Sequence, residues 1–227
     1  MKIRAPIEGK ILRENDRIAG GLRDAFARRG LLCLNFISAP GSGKTALLER
    51  TLTSLPAGTR AAVLTGDIQT DNDARRIARA GFPVRQISTG GICHLDAAMV
   101  ERALAGWDLD AIDVLFIENV GNLVCPTSFD LGEHAKIVLL SVTEGEDKPE
   151  KYPGIYRRAE LVLITKADLL PYVEFDLARA RALAASIHPA IQQILVSSRS
   201  GEGMEQWLEW LAARVKSAAA APVEVHG

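Results

Sequence analysis

The sequence predicts an α/β fold with a mostly parallel, seven-stranded sheet that is covered by helices on both faces. Two patterns and one motif indicate this fold. Short, continuous apolar segments recur along the chain, and segments of helix length alternate with them. Such apolar strands are typical of parallel sheets whose two faces are both buried. The motif is a glycine-rich loop at residues 38–45, which directly joins the first apolar strand to a helix.

Each element is assigned from its apolar spacing and the turn residues beside it. The predicted strands are residues 31–37, 61–66, 84–88, 111–117, 136–142, 161–165 and 191–196. The predicted helices are residues 46–52, 71–80, 95–105, 174–185 and a final helix that begins near residue 204. Residues 7–30 contain amphipathic helical turns, which Gly20 and Gly21 interrupt. We therefore expect a helical extension over residues 1–30, the main domain over residues 31–216 and a flexible tail over residues 217–227.

The composition is that of a single globular domain with balanced charge. The chain has 227 residues, with 27 basic and 28 acidic side chains, so we expect no broad surface for nucleic acid or membrane. No apolar segment approaches the ~20 residues of a membrane span, and the N-terminus lacks the apolar region of a secretory signal. Three cysteines argue against a disulfide framework and for a reducing compartment. These observations predict a cytoplasmic protein.

The loop Ser38-Ala-Pro-Gly-Ser-Gly-Lys-Thr45 has the sequence and the context of a phosphate-binding loop. Its glycines allow backbone N–H groups to point inward at phosphate oxygens, and the following helix presents its positive end there. Lys44 is expected to reach the β- and γ-phosphates, and Thr45 to hold Mg²⁺. The usual motif begins with glycine, whereas this one begins with Ser38. The alternative, an ordinary glycine-rich turn, does not explain the flanking strand and helix. We therefore predict a three-layer P-loop NTPase whose phosphate loop comprises Pro40, Gly41, Ser42, Gly43, Lys44 and Thr45.

Carboxylates follow two of the predicted strands, Asp67 after the second and Glu118 after the fourth. Parallel strands end at one edge of a sheet, where such folds bind ligands. Mg²⁺ takes about six oxygen ligands, commonly one or two carboxylates with phosphate, hydroxyl and water. We expect Asp67 and Glu118 to join Thr45 at Mg²⁺, and the alternatives are a helix N-cap for Asp67 and a surface charge for Glu118. Gly121 is expected to sense the γ-phosphate through its N–H. Catalysis is thus assigned to Lys44, Thr45, Asp67, Glu118 and Gly121.

The sixth strand is followed by Thr165-Lys166-Ala-Asp168, which predicts recognition of guanine. A carboxylate can accept hydrogen bonds from the N1–H and the exocyclic amine of guanine, and adenine offers no such pair. The usual element begins with Asn, so Thr165 is expected to weaken base affinity while guanine choice survives. The alternative role of Asp168 is a helix N-cap. Ser197 and Ser198, after the last strand, are expected to form the second loop around the base.

Cys93, His94 and Cys125 form a third group. Thiolate and imidazole suit Zn²⁺ and Ni²⁺ far better than Mg²⁺. One chain provides at most three such ligands, so a two-fold dimer could pool ligands from both chains. From spacing alone, buried thiols are the favoured interpretation of Cys93 and Cys125, and metal binding is the alternative. Cys33, within the first strand, is predicted to be a core residue.

With these motifs the chain resembles the HypB family of hydrogenase-maturation GTPases, which are nickel-insertion factors. The resemblance extends over residues 31–211 and rests on five segments: residues 38–45, 66–73, 93–97, 118–126 and 143–153. Urease-maturation GTPases are relatives that place their ligands in a Cys-Pro-His order. The Cys93-His94 order here favours the hydrogenase branch.

The resemblance implies that Cys93, His94 and Cys125 bind nickel or zinc at the interface of a nucleotide-dependent homodimer, which reverses the preference drawn from spacing. It implies GTP and Mg²⁺ as further ligands, and a second nickel-maturation protein and a hydrogenase large subunit as partners. No glutamine or arginine finger is identifiable, so we expect intrinsic GTP hydrolysis on the order of 10⁻⁴ to 10⁻² s⁻¹. The alternatives are a maturation GTPase for another nickel enzyme such as urease, and a metal-buffering protein whose nucleotide site is regulatory.

Overall fold

The computed structural model describes residues 4–67, 77–78 and 81–220. Seven strands of this part form one sheet in the order β3-β2-β4-β1-β5-β6-β7, and every neighbouring pair is parallel. The strands are β1 (Leu32–Ser38), β2 (Ala61–Asp67), β3 (Val84–Ser88), β4 (Val114–Glu118), β5 (Ala135–Ser141), β6 (Leu161–Thr165) and β7 (Gln192–Leu195). The predicted seven-stranded parallel sheet is confirmed.

The helices of the described residues are α1 (Arg4–Ala27), α2 (Lys44–Ser54), α3 (Ala97–Leu104), α4 (Lys148–Lys151), α5 (Pro153–Arg158), α6 (Leu177–Ile187) and α7 (Met204–Ala220). Short 3₁₀ helices span Leu109–Ala111, Cys125–Ser128 and Ala167–Tyr172. Among these helices none combines the length and the apolar character that crossing a membrane requires. The predicted helix over residues 71–80 lies outside the described residues, apart from residues 77–78, which are helical.

The sheet is the middle of three layers. Alternate side chains of β1 point to opposite faces, with Phe36 on the face covered by α2 and α7 and Ile37 on the other face. That second face is covered by α1 and α3 over one half of the sheet and by α5 and α6 over the other half. Trp207 of α7 is fully buried against Phe36, and its indole N–H donates to the Thr51 hydroxyl at 2.8 Å. The three-layer arrangement is therefore as predicted.

Helix α1 differs from its prediction because it continues through Gly20 and Gly21. Each glycine costs about 1 kcal/mol relative to alanine within a helix. The buried side chains on either side, Ala19, Leu22 and Phe26, pack into the same apolar core as α3. This tertiary packing outweighs the glycine cost, and it joins the N-terminal helix to the main domain.

Other boundaries differ because of capping and packing. The predicted fourth strand begins at residue 114 and not at residue 111, since the Asp108 carboxylate accepts from the Asp110 N–H and caps a 3₁₀ helix there. Helices α4 and α5 were not predicted, and each carries a proline in its first turn, where proline fits a helix. Helix α7 continues to Ala220 and passes close to Gly30, so residues 217–220 are helical and not part of a flexible tail. Residues 221–227 lie outside the described residues.

The turn before α7 requires glycine at position 203. Gly203 has φ 68°, and a Cβ there would lie 1.8 Å from the Leu195 carbonyl oxygen. Gly58 also has positive φ, at 91°, but a Cβ there would meet nothing within 4 Å.

We expect Gly58→Ala to lower the free energy of unfolding by about 1–2 kcal/mol through backbone strain alone. Gly203→Ala should cost roughly a further 1–3 kcal/mol, because the neighbouring backbone must shift. Urea unfolding followed by circular dichroism measures the free energy of unfolding of both variants. Equal losses of stability would contradict the predicted clash between a Cβ at position 203 and the Leu195 carbonyl oxygen.

Candidate nucleotide and metal site

The phosphate loop lies between β1 and α2, at the carboxyl edge of the central strand. Gly41 and Gly43 adopt left-handed conformations, with φ 76° and 94°, which let the backbone curl around the space in front of α2. The Lys44 ammonium donates to the Ser38 hydroxyl at 2.8 Å, so the lysine folds back across the loop. The loop thus has the shape and the charge of a phosphate cradle.

The carboxylate that ends β4 meets the hydroxyl that begins α2. The Thr45 hydroxyl donates to Glu118 Oε1 at 2.7 Å, and Glu118 is 5% exposed. Glu118 is therefore not a surface charge, which was the alternative to a metal role. Asp67 ends the neighbouring strand β2, two residues beyond Thr65, which pairs with Glu118. The side chain of Asp67 lies outside the described part of the chain. Hydroxyl and carboxylate oxygens are the donors that Mg²⁺ prefers, so Thr45 and Glu118 fit this ion.

The segment after Glu118 passes directly over the phosphate loop. A Cβ at Gly121 would lie 3.0 Å from Pro40 Cα, closer than real Cβ atoms normally approach. A side chain at this position would press on Pro40, so the two segments lie in close contact. The phosphate loop and residues 118–125 are therefore neighbours at this point.

The loop after β6 is tied to the other side of the phosphate loop. The Thr165 hydroxyl donates to the Ser42 carbonyl at 2.7 Å, and the Lys166 ammonium donates to the Gly41 carbonyl at 2.8 Å. Lys166 has φ 62°, a conformation that a lysine adopts only where its surroundings hold it. The Thr165 hydroxyl is thus occupied with the phosphate loop.

Asp168 and the loop after β7 lie together beside this region. The Ser197 hydroxyl donates to Asp168 Oδ1 at 2.5 Å, and its oxygen accepts the Ser200 N–H at 3.0 Å. Ser198 lies in the same loop and is half-buried. The Asp168 carboxylate is held at the carboxyl edge of the sheet, where a base could meet it.

One residue that sequence reasoning did not assign to the site is Glu144, in the loop after β5. Its carboxylate makes a short hydrogen bond with the Ser42 hydroxyl of the phosphate loop and lies 3.8 Å from the Lys148 ammonium. Its position just beyond the end of β5, a strand next to β1, is the same signal that identified Asp67 and Glu118.

Cys93, His94 and Cys125 come together in space. Their candidate ligand atoms all lie within 4.8 Å of one another, with 2.8 Å between the two sulfurs and 3.9 Å from Cys93 Sγ to His94 Nδ1. Both thiols are free and half-buried, whereas Cys33 is fully buried in β1. The interpretation as core thiols therefore fits Cys33 alone.

The surroundings shift the pKa values of two members of this cluster. The hydrogen bond with Cys125 raises the pKa of the Cys93 thiol, so a metal would have to displace its proton. Burial lowers the pKa of His94, which keeps its imidazole neutral and available as a ligand. The ring stacks on Phe129, with 3.9 Å between centroids. Two thiols and one imidazole are ligands that suit Ni²⁺ or Zn²⁺.

The two remaining histidines of the described chain that lack an assigned role have structural partners. His134 Nδ1 accepts the Cys33 N–H at 3.0 Å, and His188 Nδ1 lies 3.0 Å from the Ala159 carbonyl oxygen, to which it donates. Both residues flank the opposite edge of the sheet, at the start of β5 and before β7. They belong to neither the nucleotide site nor the metal cluster.

Comparison with known proteins agrees with this geometry. The family model for the CobW/HypB/UreG nucleotide-binding domain matches residues 33–194. The hydrogenase maturation factor HypB of Escherichia coli (strain K12) is 53% identical over 205 residues, which cover 90% of this chain and 71% of that protein. The crystal structure of HypB from Helicobacter pylori in complex with nickel superposes with a TM-score of 0.85 at 38% identity, covering 90% of this chain and 96% of that one. HypB from Archaeoglobus fulgidus superposes with a TM-score of 0.84 at 39% identity, covering 89% and 99%. The chain therefore belongs to the HypB hydrogenase maturation factors of the CobW/HypB/UreG family, and its matched region is a nucleotide-binding domain.

Proposed function

We propose that this protein is a GTP-hydrolysing metallochaperone that binds nickel, or zinc, at a dimer interface and assists nickel insertion into a [NiFe] hydrogenase. One observation carries the proposal: a single segment, residues 118–125, connects the two candidate sites. It begins at Glu118, which is bonded to Thr45. It passes Gly121 in contact with Pro40 and ends at Cys125, 2.8 Å from the Cys93 sulfur.

In this proposal the phosphate loop binds the triphosphate of GTP. Lys44 neutralises the β- and γ-phosphates, and Thr45, Asp67 and Glu118 hold Mg²⁺ directly or through water. When bound, Mg²⁺ would neutralise the charge that develops on the phosphates. We expect slow hydrolysis, because no glutamine or arginine finger is identified among the described residues.

Guanine is selected by the loops after β6 and β7. Asp168 accepts from the N1–H and the exocyclic amine of the base, while Ser197 keeps the carboxylate in place from the other side. Thr165 cannot contribute as an asparagine would, because its hydroxyl donates to the Ser42 carbonyl. The guanine preference therefore rests mainly on Asp168.

Nickel is the cargo of the second site. The three ligands of one chain leave a four-coordinate metal incomplete, and a two-fold homodimer completes it with ligands from both chains. Binding of GTP favours the dimer and its metal, and hydrolysis releases the metal to a partner. The expected partners are a second nickel-maturation protein and the hydrogenase large subunit, in the cytoplasm. The nickel complex of the Helicobacter pylori relative supports the choice of metal.

The phosphate loop gives the most direct test. Lys44→Ala and Thr45→Ala should each lower GTP turnover by at least about 10²-fold, because one removes a phosphate-neutralising charge and the other an Mg²⁺ ligand. Single-turnover release of phosphate from purified protein measures this. Lys216→Ala, an exposed lysine of α7, is the matched control and should retain full turnover. Undiminished hydrolysis in both loop variants would move the site elsewhere.

The base preference is tested at Asp168. The unmodified chain should favour GTP over ATP by up to about 10⁴- to 10⁵-fold, since adenine leaves the carboxylate without its partners. Asp168→Asn should shift the preference toward xanthosine triphosphate, whose O2 accepts from the new amide. Competition against a fluorescent guanine nucleotide measures the affinities for GTP, ATP and xanthosine triphosphate. Equal affinity of the unmodified chain for GTP and ATP would refute the guanine assignment.

Coupling between the sites is tested by metal titration in two nucleotide states. Ni²⁺ affinity in the GTP-analogue and GDP states should differ by roughly 5- to 150-fold, the usual range of an allosteric coupling. Cys125→Ala should abolish metal binding and metal-dependent dimerisation while GTP binding by the monomer is retained. Cys33→Ala, which removes a thiol outside the cluster, is the control. Calorimetry measures the Ni²⁺ affinity, and light scattering measures the mass of the protein in solution. Equal affinities in both states would rule out the switch but not the metal site, and metal release without hydrolysis would favour a buffering protein.

A further inference from the structure

The metal ligands lie on two different loops, and one side-chain amide bridges those loops. Cys93 and His94 precede α3, whereas Cys125 ends the segment that follows Glu118. Asn122 Nδ2 donates to the Cys93 carbonyl oxygen at 3.3 Å. Its Oδ1 accepts the Val124 N–H at 2.8 Å and the Cys125 N–H at 3.4 Å. The same side chain therefore contacts the backbone of both cysteines.

Asparagine is suited to this position because it both donates and accepts. The carbonyl oxygen of its amide closes a local turn over the next two or three residues, as Asn, Asp and Ser side chains commonly do. Only the NH₂ group reaches the Cys93 carbonyl. Aspartate or serine at position 122 could hold the turn, but a carboxylate has no donor and the serine hydroxyl is one atom shorter, so neither replaces the amide link between the loops.

A second amide fixes the other end of the Cys93 loop. Asn119 Oδ1 accepts the Leu95 N–H at 3.3 Å, and its Nδ2 donates to Asn35 Oδ1 of β1 at 3.2 Å. Asn119 is 2% exposed. The Leu95 end of the loop is thus attached to the buried sheet. The Cys93 end is attached to Asn122, which lies beyond Gly121 and its contact with the phosphate loop.

We propose that Asn122 is the positioning residue that carries nucleotide-dependent movement of residues 118–125 to Cys93, and so sets the separation of the two metal-binding thiols. This inference rests on the proposed function, because it assumes that nickel affinity responds to the nucleotide. Movement of the segment displaces Cys125 covalently. It reaches the Cys93 backbone through the Asn122 amide, because the other bridging amide, Asn119, is bonded to Asn35 of the buried sheet. Without that amide the backbone of Cys93 loses its direct link to the part of the segment beyond Gly121.

The test is Asn122→Ser, which keeps a short acceptor for the turn and removes the NH₂ group that reaches the Cys93 carbonyl. Wild type and variant are titrated with Ni²⁺ in the GDP and GTP-analogue states, and thiolate-to-nickel charge-transfer absorption is recorded. We expect the variant to bind Ni²⁺ about 10- to 100-fold more weakly, as loss of an outer contact to a ligand loop does. The charge-transfer band should change, and the affinity ratio between nucleotide states should approach one. Nucleotide affinity should stay within about twofold of wild type, since the phosphate loop is unchanged.

Thr127→Val is the matched control, because the one hydroxyl hydrogen of Thr127 goes to the Leu123 carbonyl at 3.0 Å, within the same region of chain. It should keep the nickel affinity and spectrum of wild type. Equal weakening of nickel binding in both variants, or loss of nucleotide affinity in Asn122→Ser, would overturn the positioning role in favour of general stability of the turn. A wild-type nickel profile in Asn122→Ser would overturn the inference alone. A wild-type protein whose nickel affinity ignores the nucleotide would overturn the inference together with the proposed switch.

Discussion

The hydrogen bond between the Thr45 hydroxyl and the Glu118 carboxylate joins the two elements on which the site depends. Thr45 belongs to the first turn of α2, and Glu118 is the last residue of β4. Strands β1 and β4 are direct neighbours, so the loop after β1 and the segment after β4 leave the sheet side by side. This adjacency explains why Gly121 touches Pro40 and why a residue as remote in sequence as Cys125 lies on the same edge.

The sheet gives these loops a rigid base. β1 and β4 are buried along their whole length, and close-packed apolar side chains on both faces resist displacement. A buried polar residue of β1, Asn35, is hydrogen-bonded on both sides of its amide: it donates to Glu133 and accepts from Asn119. Buried polar groups that are satisfied in this way hold a single arrangement. Motion within the site is therefore expected in the loops beyond the sheet edge.

Much of this arrangement could be predicted from local sequence. The alternation of apolar strands and helices determined the parallel sheet, because continuous apolar strands have no stable place at a half-solvated surface. The glycine, lysine and threonine of the phosphate loop determined its role, because their chemistry and their strand-to-helix context occur together within one short segment. The rule that strand ends share one edge also predicted that Asp67 and Glu118 end neighbouring strands, as they do in β2 and β4, although it was not applied to Glu144.

Other features depended on contacts between residues far apart in sequence. Spacing alone favoured Cys93 and Cys125 as separate buried thiols, and only the fold placed their sulfurs 2.8 Å apart across 32 positions. The low helix propensity of glycine predicted an interruption of α1 at Gly20 and Gly21, whereas burial of Phe26 and its neighbours stabilises a continuous helix. The sequence did not predict the role proposed for Asn122, because its amide can link the two loops only where the fold places it beside the Cys93 carbonyl. Short-range chemistry thus determined the elements and the phosphate loop, and the packing of the parallel sheet decided which loops meet.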